Sequence, residues 1–223
     1  RPAHAVQRRY RGNTLILETE FENDEGVVRL IDFMPIRRSR HQAPRVIRIL
    51  EAVRGQVTVR FDLRPRFAYG YTIPIELSRD STSSAVAGPD ALYLRGGRTG
   101  APPFQTDLVL DEGERITYEL AWARPYDDPP QPVDVGAVLR ETEEFWSDWS
   151  AKIRLPSEYK DIVMRSLITL KACTYAPSGA IVAAPTFSLP ETPGGERNWD
   201  YRFTWVRDSM LTLNAACLRE VVA

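Results

Sequence analysis

This chain of 223 residues has little histidine, cysteine, methionine or lysine: two His, two Cys, three Met, and lysine only at Lys152, Lys160 and Lys171. Cys173 and Cys217 are too few and too far apart for a disulfide framework or a zinc site, so buried free thiols are expected at both. His4 and His41 lack metal-ligand spacing, and no metal site is expected. No Gly-x-Ser-x-Gly turn, Walker loop or Gly-x-Gly-x-x-Gly occurs. Their absence removes the usual serine-hydrolase and nucleotide chemistry, and no cofactor is expected. There is no run of about 18 apolar residues to span a bilayer as a helix, so no membrane partner is expected. A cytoplasmic location is the expectation from the lack of a signal-peptide pattern. That expectation is limited by the chain opening at Arg1 rather than methionine, so its true beginning need not be here.

What is abundant is arginine, 26 of the 29 basic residues, set against 30 acidic ones for a net charge of -1. Clusters such as Arg8, Arg9, Arg11 or Arg37, Arg38, Arg40 carry no nucleic-acid-binding motif, and the balancing acids cancel their field. They read as a solvated Arg–Glu surface, with no nucleic-acid partner. At 43% hydrophobic and 26% charged the composition is that of a globular protein, and the length suffices for one large domain or two small ones.

From Thr14 to Ala123 the dominant period is two. Residues 56–64 place Val57, Val59, Phe61 and Leu63 on one face and Thr58, Arg60, Asp62 and Arg64 on the other, as a half-buried strand requires. Residues 115–123 repeat the pattern with Ile116, Tyr118, Leu120 and Trp122 inward, after a turn at 111–114. Leu15 to Phe21 and Val27 to Phe33 flank Asn23-Asp-Glu-Gly26 and predict a hairpin. Val46 to Val53 is apolar on both faces, as a central strand between two layers would be. Shorter strands are predicted at 91–95 and 104–110. At least seven strands at roughly ten-residue spacing indicate an antiparallel β-sandwich over residues 1–123.

Four prolines within residues 124–134 mark a stiff, extended linker. The period then becomes 3.6. Val135, Val138, Leu139, Thr142, Phe145, Trp146 and Trp149 form one stripe, with Asp134 available as N-cap. A second helix is predicted from about Ser157 to Tyr175, with Ile162, Val163, Leu167 and Leu170 on its stripe. A third runs from about Val206 to the C-terminus and carries Leu211, Leu213, Leu218 and Val221. Three helices with wide apolar stripes cannot close an ordinary bundle, so residues 135–223 read as the opening of a larger helical domain.

Between the second and third helices, Trp199, Tyr201, Phe203 and Trp205 alternate with Asp200, Arg202 and Thr204, and Arg207-Asp208 stands at the mouth of the third helix. Aromatic faces stack on the C–H faces of sugar rings, and an adjacent Arg and Asp suit vicinal hydroxyls. Carbohydrate is therefore the indicated ligand. The other reading of the same residues is a buried aromatic turn in which Asp208 only stabilises a helix N-terminus.

Three stretches, Leu170-Lys-Ala-Cys-Thr-Tyr-Ala-Pro-Ser-Gly179, Ile181-Val-Ala-Ala-Pro-Thr-Phe-Ser-Leu-Pro-Glu191 and Gly195-Glu-Arg-Asn-Trp-Asp-Tyr-Arg-Phe-Thr-Trp-Val-Arg-Asp-Ser209, closely resemble glycoside hydrolase family 15. That family contains glucoamylases, glucodextranases and bacterial trehalases. Residues 9–21 and Asp32-Phe-Met-Pro35 look like the β-domain of its bacterial members. The resemblance implies an N-terminal antiparallel super-β-sandwich, a linker, and the first helices of an α/α six-hairpin barrel. It also implies an enzyme that releases glucose from an α-glucoside or trehalose-type sugar with inversion. One glutamic acid would protonate the leaving oxygen and a second would activate water, their carboxyls about 6.5–9.5 Å apart.

Both glutamates lie further along the barrel in that family, so no catalytic residue is expected before Ala223. The remainder of the barrel, in cis or as a second chain, is an expected partner. By the same resemblance, Tyr201 is the platform under the terminal glucose, Trp205 a wall beside the acid, and Arg207 with Asp208 the clamp on the non-reducing-end hydroxyls. Phe187 and Phe203 depart from the threonine and tyrosine common in bacterial members. Glu141, Glu143 and Glu144 read as a solvated helix face, while Glu191 and Glu196 flank the motif as possible sugar contacts. The alternatives are a non-catalytic carbohydrate-binding sandwich and an interaction module docking through its helical face.

Overall fold

The computed structural model describes residues 3–39, 41–98, 100, 102–155, 158–186 and 192–217. The chain forms two compact units, Arg1–Glu144 and Phe145–Ala223. Among the described residues the first holds ten strands: β1 (Ala5–Tyr10), β2 (Leu17–Asn23), β3 (Gly26–Phe33), β4 (Arg45–Gly55), β5 (Val57–Asp62), β6 (Ile75–Arg79), β7 (Thr82–Ala87), β8 (Asp90–Gly96), β9 (Gln105–Leu110) and β10 (Arg115–Ala123). Eight form one antiparallel sheet in the order β1-β2-β3-β4-β10-β8-β7-β6, and β5 pairs with β9 as a second, two-stranded sheet. The predicted sandwich is therefore present, with layers of very unequal size.

Period two explains the larger core. Val28, Leu50, Leu94, Ile116 and Tyr118 from the large sheet meet Val57, Leu108 and Leu110 from the small one. The alternation in β5 holds as predicted: Val57 is buried, Val59 and Phe61 pack against the cluster, and Thr58, Arg60 and Asp62 are exposed. The ring of Phe61 stacks on that of Tyr118, centroids 4.2 Å apart, and burial pushes the Tyr118 hydroxyl above its ordinary pKa. The hairpin at Asn23 forms as expected, its side-chain Oδ1 accepting from the backbone N–H of Glu25 and Gly26 at 2.9 and 3.0 Å. Gly26 is obligatory there, because a Cβ would lie 2.0 Å from the carbonyl oxygen of Arg54.

A second apolar cluster joins Ile16, Ile31, Phe33, Ile47 and Ile49 with Leu139, Val133, Val135 and Val138. β4 thus supplies Ile47 and Ile49 to one core and Leu50 and Ala52 to the other, the two-sided burial expected of a central strand. β10 departs from its expected pattern. Trp122 is 37% exposed, while Ala121 and Glu119 on the opposite face are buried. On the Glu119 side, Arg45 and the segment at Val133 supply cover that alternation along the strand does not foresee. The Trp122 indole instead donates to Asp90 Oδ1 at 2.8 Å. Glu119 pairs with Arg45, stands 3.9 Å from Arg95, and accepts from the backbone N–H of Val133 at 3.4 Å.

The arginine surplus is spent on cross-strand pairing. Arg9 and Arg11 both reach Glu18, Glu20 takes Arg9 and Arg29, Arg29 continues to Glu51, and Asp32 holds Arg48. Strand register puts Arg9 opposite Glu18, Glu20 opposite Arg29, Arg29 opposite Glu51 and Asp32 opposite Arg48, while Arg9 reaches Glu20 on the diagonal. Glu143, read from sequence as solvated, lies 3.3 Å from Arg11.

The helix α1 (Val135–Ala151) starts at the predicted N-cap, where Asp134 Oδ1 accepts from the N–H of Ala137 at 3.0 Å. Its stripe is as predicted, with Leu139, Thr142, Trp146 and Trp149 buried. In the second unit, α2 (Lys160–Ala172) buries Met164, Leu167 and Ile168. Of the expected stripe, Leu167 is buried and Val163 and Leu170 are half-buried, whereas Ile162 is exposed and Met164 and Ile168, at i−3 and i+1 from Leu167, are buried. The expected start at Ser157 lies outside the described residues. Among those described, no helix is long and apolar enough to cross a membrane.

Candidate functional site

The aromatic segment is held by a short hairpin that follows α2. β11 (Thr174–Tyr175) pairs with β12 (Ala180–Ile181) across a turn closed by Gly179 N–H donating to the Tyr175 carbonyl at 2.8 Å. Gly179 sits at φ +72°, a conformation that favours glycine. Just past the hairpin, the backbone N–H of Ala183 donates to the carbonyl of Phe203 and that of Ala184 to the carbonyl of Tyr201, at 3.1 and 2.9 Å. The non-periodic loop therefore lies along residues 183–184. It enters α3 (Val206–Cys217) with Ser209 N–H donating to the Trp205 carbonyl at 2.9 Å, while Ser209 Oγ donates to the carbonyl of Ile181 at 3.3 Å. The segment is thus fastened at Tyr201 and Phe203 to residues 183–184 just past the hairpin, and at Ser209 to Ile181 within it.

The four residues singled out from sequence form two pairs. Tyr201 and Trp205, both half-buried, have ring centroids 5.4 Å apart and tilted by 41°. Trp199 adds an edge-on contact to Trp205 at 6.4 Å. Arg207 and Asp208 open α3, with guanidinium Nη2 3.5 Å from Asp208 Oδ2. The Arg207 side chain is 75% exposed and that of Asp208 is 31% exposed. A carboxylate in the first turn of a helix also benefits from the positive end of the helix dipole, so the helix-stabilising role read from sequence operates here as well. Half-buried rings beside a partly exposed Arg–Asp pair can stack on a sugar ring and bond its hydroxyls. A fully buried turn could not.

Sequence reasoning did not anticipate what orders the loop. Asp200 Oδ1 accepts the backbone N–H of Arg202 at 3.0 Å, and the guanidinium of Arg202 grips the same carboxylate through Nε at 2.9 Å and Nη2 at 2.6 Å. The Asp200 carbonyl accepts the Trp205 indole N–H at 3.4 Å. The available signal was the Asp-x-Arg spacing, which permits an Asx-turn and an ion pair at once. Phe203 is 65% exposed, and Glu196 is exposed with its carbonyl accepting the N–H of Asn198. Phe187, Glu191, Leu218 and Val221 lie outside the described residues, as does the Cys217 side chain. Cys173 is a buried free thiol, its pKa raised by burial.

The family model described as glycosyl hydrolases family 15 matches residues 157–219, a span that contains α2, the hairpin, the aromatic loop and α3. Similarity to named proteins extends through the sandwich as well. The chain is 32% identical over 225 residues to a trehalase of Thermoplasma volcanium, covering 94% of this chain and 34% of that protein. It is 34% identical over 238 residues to a trehalase of Mycobacterium tuberculosis, covering 92% and 34%. With trehalase 2 of Sulfolobus acidocaldarius it shares 33% identity over 226 residues, covering 94% and 36%. The chain therefore spans about a third of the length of these relatives. With the motif match falling on the loop that carries the ring pair and the Arg–Asp pair, and the relatives following the chain through its sandwich, residues 157–219 belong to glycosyl hydrolases family 15 and the chain as a whole is similar to trehalases.

Proposed function

We propose that the chain is the N-terminal portion of an inverting glycoside hydrolase that releases glucose from α-linked glucosides, with trehalose as the leading substrate. The observation that carries this reading is the 32–34% identity to three trehalases over more than nine-tenths of the chain. Residues 1–123 serve as the sandwich domain, 124–134 as its linker, and 135–223 as the start of an α/α barrel. The acid and base glutamates belong to polypeptide beyond Ala223. Apolar side chains of α3 fit such continuation: Val206, Met210 and Leu211 are 80%, 66% and 64% exposed.

Within the whole site Tyr201 underlies the terminal glucosyl ring and Trp205 walls the pocket beside the acid. Asp208 accepts hydrogen bonds from sugar hydroxyls and Arg207 donates one, which selects a chain end and makes the action exo. A water molecule attacks C1 from the face opposite the departing oxygen, and that oxygen leaves with the proton of the acid. Cleavage of trehalose in this way yields one β- and one α-glucose.

The test uses the full-length polypeptide with trehalose, maltose and isomaltose, following nascent anomers by NMR. Equal initial β- and α-glucose from trehalose is expected, and α-glucose alone would mean retention. Asp208→Asn and Arg207→Ala should each lower kcat/KM at least tenfold, about 1.4 kcal/mol, at nearly unchanged Tm. A lowered Tm with wild-type kinetics would leave Asp208 only its helix-stabilising role, worth about 0.3–1 kcal/mol.

A further inference from the structure

We propose that Asp200 and Arg202 are positioning residues for the terminal-glucosyl subsite, a single ion-paired turn that fixes the Tyr201 and Trp205 rings relative to each other. The inference rests on the α-glucoside reading above and adds two residues to which that reading gives no role. Its basis is the concentration of restraints on residue 200. The Asp200 carboxylate binds the main chain of Arg202 through its N–H and the side chain of Arg202 through Nε and Nη2. Tyr201 is the residue enclosed by that double closure. The carbonyl of the same Asp200 takes the indole N–H of Trp205. One residue thereby restrains Tyr201 through the backbone and Trp205 through its ring nitrogen, while the Tyr201 carbonyl is held from the other side by Ala184 N–H.

An ordinary Asx-turn needs only the backbone bond. The forked guanidinium contact is additional, and its geometry is directional where a lysine would offer a point charge. With side-chain exposures of 20% for Asp200 and 45% for Arg202, the pair adds little to global stability. What it supplies is orientation. The two rings sit 5.4 Å apart at a tilt of 41°, and a stacking platform contributes to catalysis only when held close to its productive geometry.

The experiment compares Asp200→Asn, Arg202→Gln and the double variant in the full-length polypeptide. The asparagine keeps an oxygen for the Arg202 N–H and loses the charge that grips the guanidinium. Each single variant should lower kcat/KM on trehalose about five- to tenfold. The double variant should fall no further than either single one, because both remove the same restraint. Near-UV circular dichroism from the coupled Trp199, Tyr201 and Trp205 rings should weaken in all three, with Tm within about 2 °C of wild type. Additive losses in the double variant would overturn the proposal in favour of independent sugar contacts. Wild-type kinetics with a lowered Tm would overturn it in favour of a purely structural pair. Should the wild-type polypeptide hydrolyse no α-glucoside, the substrate reading fails by itself. The dichroism still decides the positioning claim, since unchanged ring signals in the variants would refute it.

Discussion

The sheet unit and the helical unit solve the same problem, covering apolar side chains, with opposite completeness. In residues 1–144 the isoleucines and leucines of β3, β4 and β10 disappear into two clusters on the two faces of the large sheet, and Ile16, Ile47, Ile49 and Leu110 are 0% exposed. Over β1 to β4 the carboxylates of Glu18, Glu20, Glu51 and Asp32 pair with arginines on neighbouring strands. Among the described residues of 145–217, one side of α2, the tryptophans of α1, Ile153 and Cys173 are buried, whereas α3 presents Val206, Met210 and Leu211 to solvent beside a dense aromatic loop. A scaffold can be read by asking where its apolar residues went. A binding segment is read by what keeps its rings half exposed, here a hairpin, an Asx-turn and a helix entry.

The contrast can be tested by mutation. The largest effect should come from Ile49→Ala, which empties a fully buried site in the centre of the large sheet. A loss of about 2–5 kcal/mol is expected from a chemical denaturation curve, and a loss below about 0.5 kcal/mol would mean the second cluster is not a true core.

A smaller and pH-dependent effect belongs to Glu18. Burial pushes its carboxyl up from the ordinary value of 4.5, and the hydrogen bond and charge of Arg11, with Arg9 and Arg29 nearby, outweigh this and leave it lowered. A carboxylate lowered in the folded state stabilises fully above about pH 4.5, and that contribution fades as pH falls through its folded pKa. Glu18→Gln should therefore cost about 1 kcal/mol at neutral pH, with the gap to wild type closing below pH 4.5 in pH-resolved melts. A gap that stays constant into acid would show that charge at Glu18 is immaterial.

The smallest effect is expected at Leu211, whose exposure of 64% predicts that Leu211→Ser changes the stability of the 223-residue chain by less than about 0.5 kcal/mol. The same substitution in the full-length polypeptide should cost more if α3 is covered there, and equal effects in the two would break the proposed continuation of the barrel.

Much of this was legible in the sequence. Strict alternation over 57–63 specified which face of β5 is buried, because side-chain direction in a strand depends only on local geometry. Asn23 and Gly26 specified a hairpin, and Asp134 the start of α1, each through a bond to backbone a few residues away. The aromatic loop and the family were legible because the motif is a contiguous run from Gly195 to Ser209. Trp122 and Ile162 were misread for one reason: periodicity gives the stripe on an element but not which arc of it a distant neighbour covers. Only the folded chain brings Arg45 and Val133 to Glu119 and Asp90 to the Trp122 indole.

The sequence by itself therefore determined the change from strands to helices, the location of the turns and caps, and the family, all features written in local spacing or in a continuous motif. The tertiary structure decided that β5 and β9 form a small sheet of their own, that β4 serves two cores, and that Arg11 reaches Glu143 across 132 positions of chain. It also decided that one carboxylate at Asp200 gathers Arg202 while its carbonyl takes Trp205. These are choices among partners that composition and periodicity leave equally available, and they are settled only when the folded backbone brings particular donors and acceptors within bonding distance.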